Sequence, residues 1–242
     1  MRAQEIERDM ALPILTIMCG NAPPPIARSH GDYLDWFQGG VGDRVELIPW
    51  DILRDQSQPS LGDFAGVLIT GTPASLTKPE PWMEVAVECI RDAAETETPL
   101  LGVCFGHQLV GCAFGAPTVV SEGAGEHGSL PIELSPSGMV DPLFSGMPKT
   151  FDVQLTHFDK VDEDAVIYSN GLRVLASSSH TSIQALAGGD FIRSVQFHPE
   201  FSRGIMASYL DADGANPSNA RDCPHAAQVF DNWVTHWVVK GS

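Results

Sequence analysis

The sequence predicts an α/β fold, with a doubly wound, mostly parallel central sheet flanked by helices and an additional small antiparallel sheet. Short β-branched or apolar runs alternate with stretches of helical spacing, and such runs without apolar/polar alternation suit strands covered on both faces. From about residue 127 the segments alternate instead, which indicates antiparallel strands. A chain of 242 residues, 43% of them apolar, is long enough for one large core. We expect a single domain spanning residues 1–242.

The first half of the chain carries the β-α-β pattern, element by element. Its buried strands are predicted at 14–18, 44–50, 66–70 and 99–103. Amphipathic helices are predicted at 31–38 and 81–97. The proline-rich segment 20–31 is predicted to be a loop, either one that stands over a pocket or a plain surface connection.

The second half continues with strands and ends in helices. Strand-like segments lie at 129–136, 151–158, 173–179 and 182–197, and helical segments at 202–213 and 225–239. Trp233 and Trp237 are four residues apart on the last helix, a spacing that predicts either core packing or a dimer contact. A homodimer through this apolar face is therefore one expectation.

Charge, cysteine content and the N-terminal residues exclude several classes of protein. The net charge is −17 and no basic cluster stands apart from it, which argues against nucleic-acid binding. The five cysteines are widely spaced without a CxxC pair, which favours a reducing cytoplasm. Glu5, Glu7 and Asp9 precede the first apolar stretch, which suits neither a signal peptide nor a membrane span. We expect a cytoplasmic protein without nucleic-acid or membrane partners.

Cys104 lies where a predicted strand turns into a helix, between Gly102 and Gly106. Glycines on both sides leave room for a tight turn that exposes the side chain, as in a nucleophile elbow. The helix N-terminus also favours the reactive thiolate. The alternative is a small buried hydrophobic residue, which is what most free cysteines are.

His198 and Glu200 are the predicted partners of this thiol. Residues i and i+2 of an extended chain point to the same side, so the carboxylate can hold one imidazole nitrogen while the other faces the sulfur. Alternatives are a solvated strand end and a zinc site built from the same three residues. For the oxyanion of an acyl transfer, the candidate donors are the backbone N–H of Phe105 and one from the strand end Gly71-Thr72.

Three motifs together, GVCFGHQ, VQFHPEF and LITGTPAS, resemble the class I (triad-type) glutamine amidotransferases, most closely the glutaminase domain of GMP synthetase. The resemblance implies a flavodoxin-like fold, no cofactor and no metal. It implies that Cys104 attacks the glutamine side-chain amide, that His198 moves the proton and that Glu200 orients His198. It assigns the amino-acid end of the substrate to Gly71, Gln108 and the backbone around Thr156, His157 and Phe158.

Two departures from the family pattern bear on the site. Thr72 stands where the family has a glycine in its oxyanion strand, so we expect strain in the backbone there. Phe158 replaces a glycine of the substrate loop and is expected to narrow or reshape the mouth of the pocket.

The predicted function is hydrolysis of glutamine through a cysteine thioester, with ammonia passed to a separate synthetase chain. The sequence contains no GxxxxGK[ST] loop that could serve ATP. One alternative is a stand-alone γ-glutamyl peptidase or hydrolase that uses the same triad. The other is a catalytically silent regulatory or binding subunit, against which the complete set of Cys104, His198 and Glu200 argues.

Overall fold

A computed structural model describes residues 12–121, 125–169 and 171–239. The acidic N-terminal residues Glu5, Glu7 and Asp9 lie outside the described residues. The strands are β1 Ile14–Met18, β2 Leu47–Asp51, β3 Gly66–Ile69, β4 Leu100–Val103, β5 Thr118–Val120, β6 Glu126–Leu134, β7 Thr150–His157, β8 Asp159–Val161, β9 Leu172–Ser177, β10 Ala185–Gly188 and β11 Ile192–Val195. The α-helices are α1 Pro24–His30, α2 Tyr33–Val41, α3 Pro81–Glu95, α4 Phe105–Ala113, α5 Glu163–Tyr168, α6 Arg203–Ala212 and α7 Pro224–Trp233. Within these ranges, no helix has the length and apolarity that crossing a bilayer requires.

The strands confirm the predicted fold class. Within the described residues, nine of them form one sheet in the order β2-β1-β3-β4-β11-β10-β9-β6-β7. The pairs from β2 to β11 are parallel, and the pairs from β11 to β7 are antiparallel. The separate small antiparallel sheet contains β5 and β8. The other late strands extend the main sheet and thereby build its antiparallel half.

The sheet is covered on both faces because neighbouring residues of its strands alternate between two cores. Ile14 packs into the core that contains side chains of α1, α2, α6 and α7. Leu15, the next residue, packs into the core that contains side chains of α3 and α4. Because both faces are buried, these strands appear in the sequence as continuous apolar segments.

Two predicted boundaries are wrong. Strand β2 begins three residues later than predicted, at Leu47, because Gly42–Arg44 forms a 3-10 turn. Segment 20–31 contains helix α1 and is not merely a loop. Two prolines occupy the first positions of α1, where their fixed φ suits a helix and their missing N–H costs nothing. The alternative that this segment stands over a pocket is the correct one, since Pro23 and Ile26 line the main cavity.

Trp233, the last residue of α7, and Trp237, in the π-helical turn Val234–Val238 that follows, belong to the core. Trp233 is completely buried and Trp237 is nearly so. The indole N–H of Trp237 donates to the backbone oxygen of Asp190 at 2.9 Å. Of the two alternatives predicted for this pair, core packing is therefore the observed one, and neither ring offers a face to a second copy of the chain.

Candidate active site

The carboxyl ends of β3, β4 and β11 bring the predicted site residues together. Gly71 follows β3, Cys104 follows β4, and His198 lies three residues after β11. These strands are parallel neighbours, so their carboxyl ends meet at one edge of the sheet, the edge where open α/β sheets bind ligands.

The turn at Cys104 has the predicted sharp geometry. Cys104 adopts φ 52° and ψ −100°, and positive φ is rare and costly for a residue with a side chain. A Cβ atom on Gly102 would lie 2.5 Å from the backbone oxygen of Gly106, and one on Gly106 would lie 2.8 Å from that of Ile69. Only glycine fits at either position, so the two glycines allow strand β4 to turn into α4 with the thiol at the bend.

His198 is held by a buried carboxylate. Its Nδ1 lies 2.7 Å from Oε1 of Glu200, and both side chains are buried. Burial alone would lower the pKa of His198, but the nearby charges of Glu200 and Cys104 and the hydrogen bond to Glu200 raise it to about 10. His198 also stacks on Phe201 with ring centroids 4.1 Å apart. The ring is thus fixed in place in a setting that favours an imidazolium.

The cysteine and the histidine lie side by side beneath Gly71. A Cβ atom on Gly71 would be 3.2 Å from Cε1 of His198 and 3.9 Å from Sγ of Cys104. The Nε2 atom of His198 is buried and makes no hydrogen bond to any of the described residues. The structure therefore brings Cys104, His198 and Glu200 together in the order that nucleophile, base and orienting group require.

The expectation of strain at Thr72 is wrong. Among the described non-glycine residues, positive φ occurs at Glu97 and Cys104 and not at Thr72. The Thr72 side chain fits because it lies against Gly20, where a Cβ would come within 2.8 Å of its hydroxyl oxygen. That oxygen accepts a hydrogen bond from the Ala74 N–H at 3.3 Å and stabilises the turn.

The two predicted oxyanion donors are available. The backbone N–H groups of Thr72 and Phe105 donate no hydrogen bond to any described part of the chain. Both residues line the same cavity as Cys104. Free N–H groups beside a nucleophile are the donors that acyl-transfer sites use to hold an oxyanion.

A cavity of about 600 Å³ opens above these residues. The substrate-side residues Gln108, Thr156, His157 and Phe158 line it as well. Phe158 lines the cavity and is 62% exposed. Among the described residues, no group of three His, Cys, Asp or Glu side chains could hold a metal ion.

The side chains of Thr156 and His157 are engaged within the protein. The Thr156 hydroxyl lies 3.1 Å from Nδ1 of His127. His157 places Nδ1 3.0 Å from the backbone oxygen of Asp159 and Nε2 3.1 Å from Oε2 of Glu126. Both side chains therefore already have hydrogen-bond partners within the protein, and a substrate contact through the backbone of these residues stays a prediction.

Two buried residues of the site were not predicted from the sequence. Nε2 of Gln196 lies 3.7 Å from Sγ of Cys104. Gln196 could have been found, because it precedes His198 by two residues within the motif VQFHPEF. Glu126 holds His157 from a different strand, 31 residues away in the sequence, and no local pattern indicates that contact.

Comparisons with known proteins agree with this geometry. The family model described as "Glutamine amidotransferase class-I" matches residues 39–213. The chain is 32% identical over 161 residues to a glutamine-hydrolysing GMP synthase of Thermosipho africanus, a match that covers 66% of this chain and 28% of the relative. A glutamine amidotransferase-like protein of Schizosaccharomyces pombe is 25% identical over 205 residues, covering 77% of this chain and 79% of the relative.

Solved structures show the same fold. A glutamine amidotransferase from Thermotoga maritima has a TM-score of 0.73 at 16% identity, covering 94% of this chain and 98% of that one. One from Methylobacillus flagellatus has a TM-score of 0.71 at 18% identity, covering 93% and 94%. The chain spans less than a third of the length of the GMP synthases that it matches.

Proposed function

The chain belongs to the class I glutamine amidotransferase family, and on that premise we propose that it hydrolyses the side-chain amide of glutamine through a thioester on Cys104. One observation carries the proposal: Cys104 occupies a positive-φ elbow next to His198, whose other ring nitrogen is bonded to Glu200. A strained turn of this kind persists only where the surrounding structure enforces it, and such turns cluster at active sites.

The proposed reaction is a double displacement. The Cys104 thiolate adds to the γ-carbonyl carbon of glutamine, and the N–H groups of Thr72 and Phe105 hold the resulting oxyanion. His198, as an imidazolium, gives its proton to the departing nitrogen, so that ammonia leaves and a γ-glutamyl thioester remains. His198, now neutral, takes a proton from water, and the hydroxide expels the thiolate and releases glutamate.

Glu200 has a supporting role in this scheme. Its carboxylate keeps Nδ1 of His198 bonded, so that Nε2 faces the sulfur and the substrate. Gly71 is proposed to let the substrate approach, because any side chain there would crowd both His198 and Cys104.

The first test is release of ammonia and glutamate from glutamine, with Cys104→Ser as the inactive variant. Cys112→Ser, in helix α4 directly after the turn at Cys104, is the matched control and should turn over normally. Hydroxylamine added during turnover should intercept the thioester as γ-glutamyl hydroxamate. Ammonia release that persists in Cys104→Ser would exclude the proposed nucleophile, and no turnover by the intact protein would favour a silent subunit.

Thiol reactivity supplies a test that needs no substrate. Burial raises the pKa of all four other thiols, of Cys89 to about 12 and of Cys223 to about 11. A thiolate paired with His198 should therefore react with iodoacetamide near pH 7 well before any of these four. Mass spectrometry of the peptides identifies the modified cysteine.

We also propose that the ammonia is consumed by a separate synthetase chain. Several relatives, among them the one from Thermosipho africanus, are named as glutamine-hydrolysing GMP synthases, and the chain matches less than a third of their length. If so, ammonia release should rise when the synthetase component and its substrates are added, and an unchanged rate would count against this partner.

The size of the cavity favours a second candidate, hydrolysis of γ-glutamyl compounds. A volume of about 600 Å³ lies within the range that holds drug-sized ligands, so there is room for a substituent on the γ-nitrogen. Comparing kcat/KM for glutamine and for a panel of γ-glutamyl dipeptides discriminates the two. A higher value for a dipeptide would make this second candidate the main function.

A further inference from the structure

The amide of Gln196 is directed at the sulfur of Cys104 from inside the protein. Gln196 is completely buried, and its Nε2 lies 3.7 Å from Sγ, within hydrogen-bonding distance for a sulfur acceptor. A buried amide N–H without an acceptor would be costly, and a thiolate is a much better acceptor than a neutral thiol. The contact therefore favours the charged form of the nucleophile.

Neighbouring groups determine which end of this amide faces the sulfur. Nε2 of Gln108 lies 3.0 Å from the backbone oxygen of Asp159, which can only accept. The same nitrogen lies 3.3 Å from Oε1 of Gln196. Since Gln108 donates, the atom of Gln196 that it meets must be the oxygen, and the N–H end is left for Cys104.

The buried carboxylate of Glu126 is connected to these two glutamines through His157 and the backbone of Asp159. The Asp159 oxygen also faces Nδ1 of His157, at 3.0 Å, and Nε2 of His157 faces Oε2 of Glu126, at 3.1 Å. Burial would raise the pKa of Glu126, but hydrogen bonds from His157 and Ser178 lower it, which keeps a carboxylate there. A continuous series of hydrogen bonds thus extends from Glu126 to the sulfur.

We propose that Gln196 is a further catalytic residue, whose amide N–H stabilises the Cys104 thiolate and which Gln108 holds in the required orientation. The bond is strongest when the sulfur is charged, in the free enzyme and again when water expels the thiolate from the thioester. It weakens when the sulfur is acylated. Gln196 therefore acts on the sulfur while the groups at Thr72 and Phe105 act on the carbonyl oxygen.

The test is the pH dependence of Cys104 alkylation by iodoacetamide in Gln196→Met. Methionine is close in length and fills the space but has no N–H. Loss of one charge-assisted hydrogen bond should move the midpoint of the profile upward by about one pH unit. At a fixed pH below the midpoint, alkylation should slow by about tenfold.

Gln196→Glu is a second variant that keeps both the size of the side chain and the acceptor for Gln108. It replaces the donor by a carboxylate next to the sulfur, so its midpoint should rise more than that of Gln196→Met. The matched control is Gln154→Met. Gln154 is equally buried, and its amide bonds to Ser129 and to the Arg221 backbone rather than to sulfur. Its profile should coincide with that of the unmodified protein.

The proposal rests on Cys104 being the nucleophile, and the outcomes separate the two claims. If Cys104 in the unmodified protein reacts no faster than Cys112, the nucleophile assignment itself fails. If Cys104 is selectively reactive but the Gln196→Met and Gln196→Glu profiles coincide with the parent profile, only the role of Gln196 is overturned. An equal shift in Gln154→Met would also overturn it, because the effect would then be a general loss of packing.

Discussion

Replacing Glu200 with glutamine removes the negative charge next to His198 while leaving an oxygen to which Nδ1–H can donate. The distance of 2.7 Å between Nδ1 and Oε1 of Glu200 can be kept, because the two side chains are nearly the same size. The variant therefore separates the charge of the carboxylate from its role in orienting the ring.

The expected magnitude follows from the charge state of His198. Burial lowers the pKa of this ring, and the charges of Glu200 and Cys104 bring it to about 10. Without the Glu200 charge the pKa should fall toward the ordinary value of about 6.5, because burial then opposes only the charge of Cys104. At pH 8, a ring with a pKa of 6.5 is charged in only about 3% of molecules. The population of imidazolium alone therefore predicts a fall in kcat/KM that reaches about 30-fold when the pKa falls to 6.5.

The assay is kcat/KM for glutamine in Glu200→Gln between pH 6 and pH 10, together with an NMR titration of the His198 ring nitrogens. Glu133→Gln is the control, because Glu133 is an exposed carboxylate paired with Lys149 at the surface. The reasoning is refuted if Glu200→Gln keeps a kcat/KM near that of the parent at pH 8 and its His198 titrates as before.

Three further predictions concern stability. Gly106→Ala should unfold at lower urea concentration and lose turnover, because its Cβ would lie 2.8 Å from a backbone oxygen of β3. In the control Gly39→Ala the Cβ meets nothing within 4 Å, so this variant should be neutral or slightly stabilising. Asp141→Asn should lower the free energy of unfolding by about 3–5 kcal/mol, because both carboxylate oxygens accept from the buried Arg193 at 3.0 Å. The folded-state pKa of His198 lies above its ordinary 6.5, so its charge stabilises the fold fully below pH 6.5. That contribution is lost as the pH rises toward about 10, and urea unfolding measured at several pH values should show it.

Each of these predictions has a clear contrary result. Equal stability of the two glycine variants would mean that the turn at Cys104 tolerates a side chain. A change below about 1 kcal/mol in Asp141→Asn would place its ion pair with Arg193 among weak surface pairs. For the third prediction, the pH dependence of the free energy of unfolding is compared between the parent protein and Glu200→Gln. If both proteins show the same dependence, the charge of His198 is not its cause.

Much of the fold was predictable because its signals are local. The strands at 14–18, 66–69 and 100–103 are apolar runs that only a doubly covered sheet buries. The turn at Cys104 was readable from Gly102 and Gly106, since that spacing leaves room on both sides of the bend. The spacing of His198 and Glu200 is likewise local, but the prediction that extended chain joins them is wrong. A turn at Pro199 and Glu200, in which the Phe201 N–H donates to the His198 oxygen at 3.4 Å, brings the carboxylate to the ring.

Other features were not readable because they depend on distant parts of the chain. The proline-rich segment 20–31 forms helix α1, and only its position beside the cavity shows what Ile26 contacts. The space for the Thr72 side chain depends on Gly20, which lies just beyond the end of β1. The run 129–136 predicted a strand but not which neighbours it would pair with in the sheet.

The candidate site likewise has features that local sequence determines and features that depend on contacts between distant residues. Local sequence identifies a thiol at a sharp turn and a histidine next to a carboxylate, because backbone geometry over two or three residues decides both. The contacts of Cys104 with Gln196, and of His157 with Glu126, join residues 92 and 31 positions apart. Such contacts exist only after β4, β6, β7 and β11 have taken their places in one sheet, since the order of strands brings distant side chains within hydrogen-bonding distance.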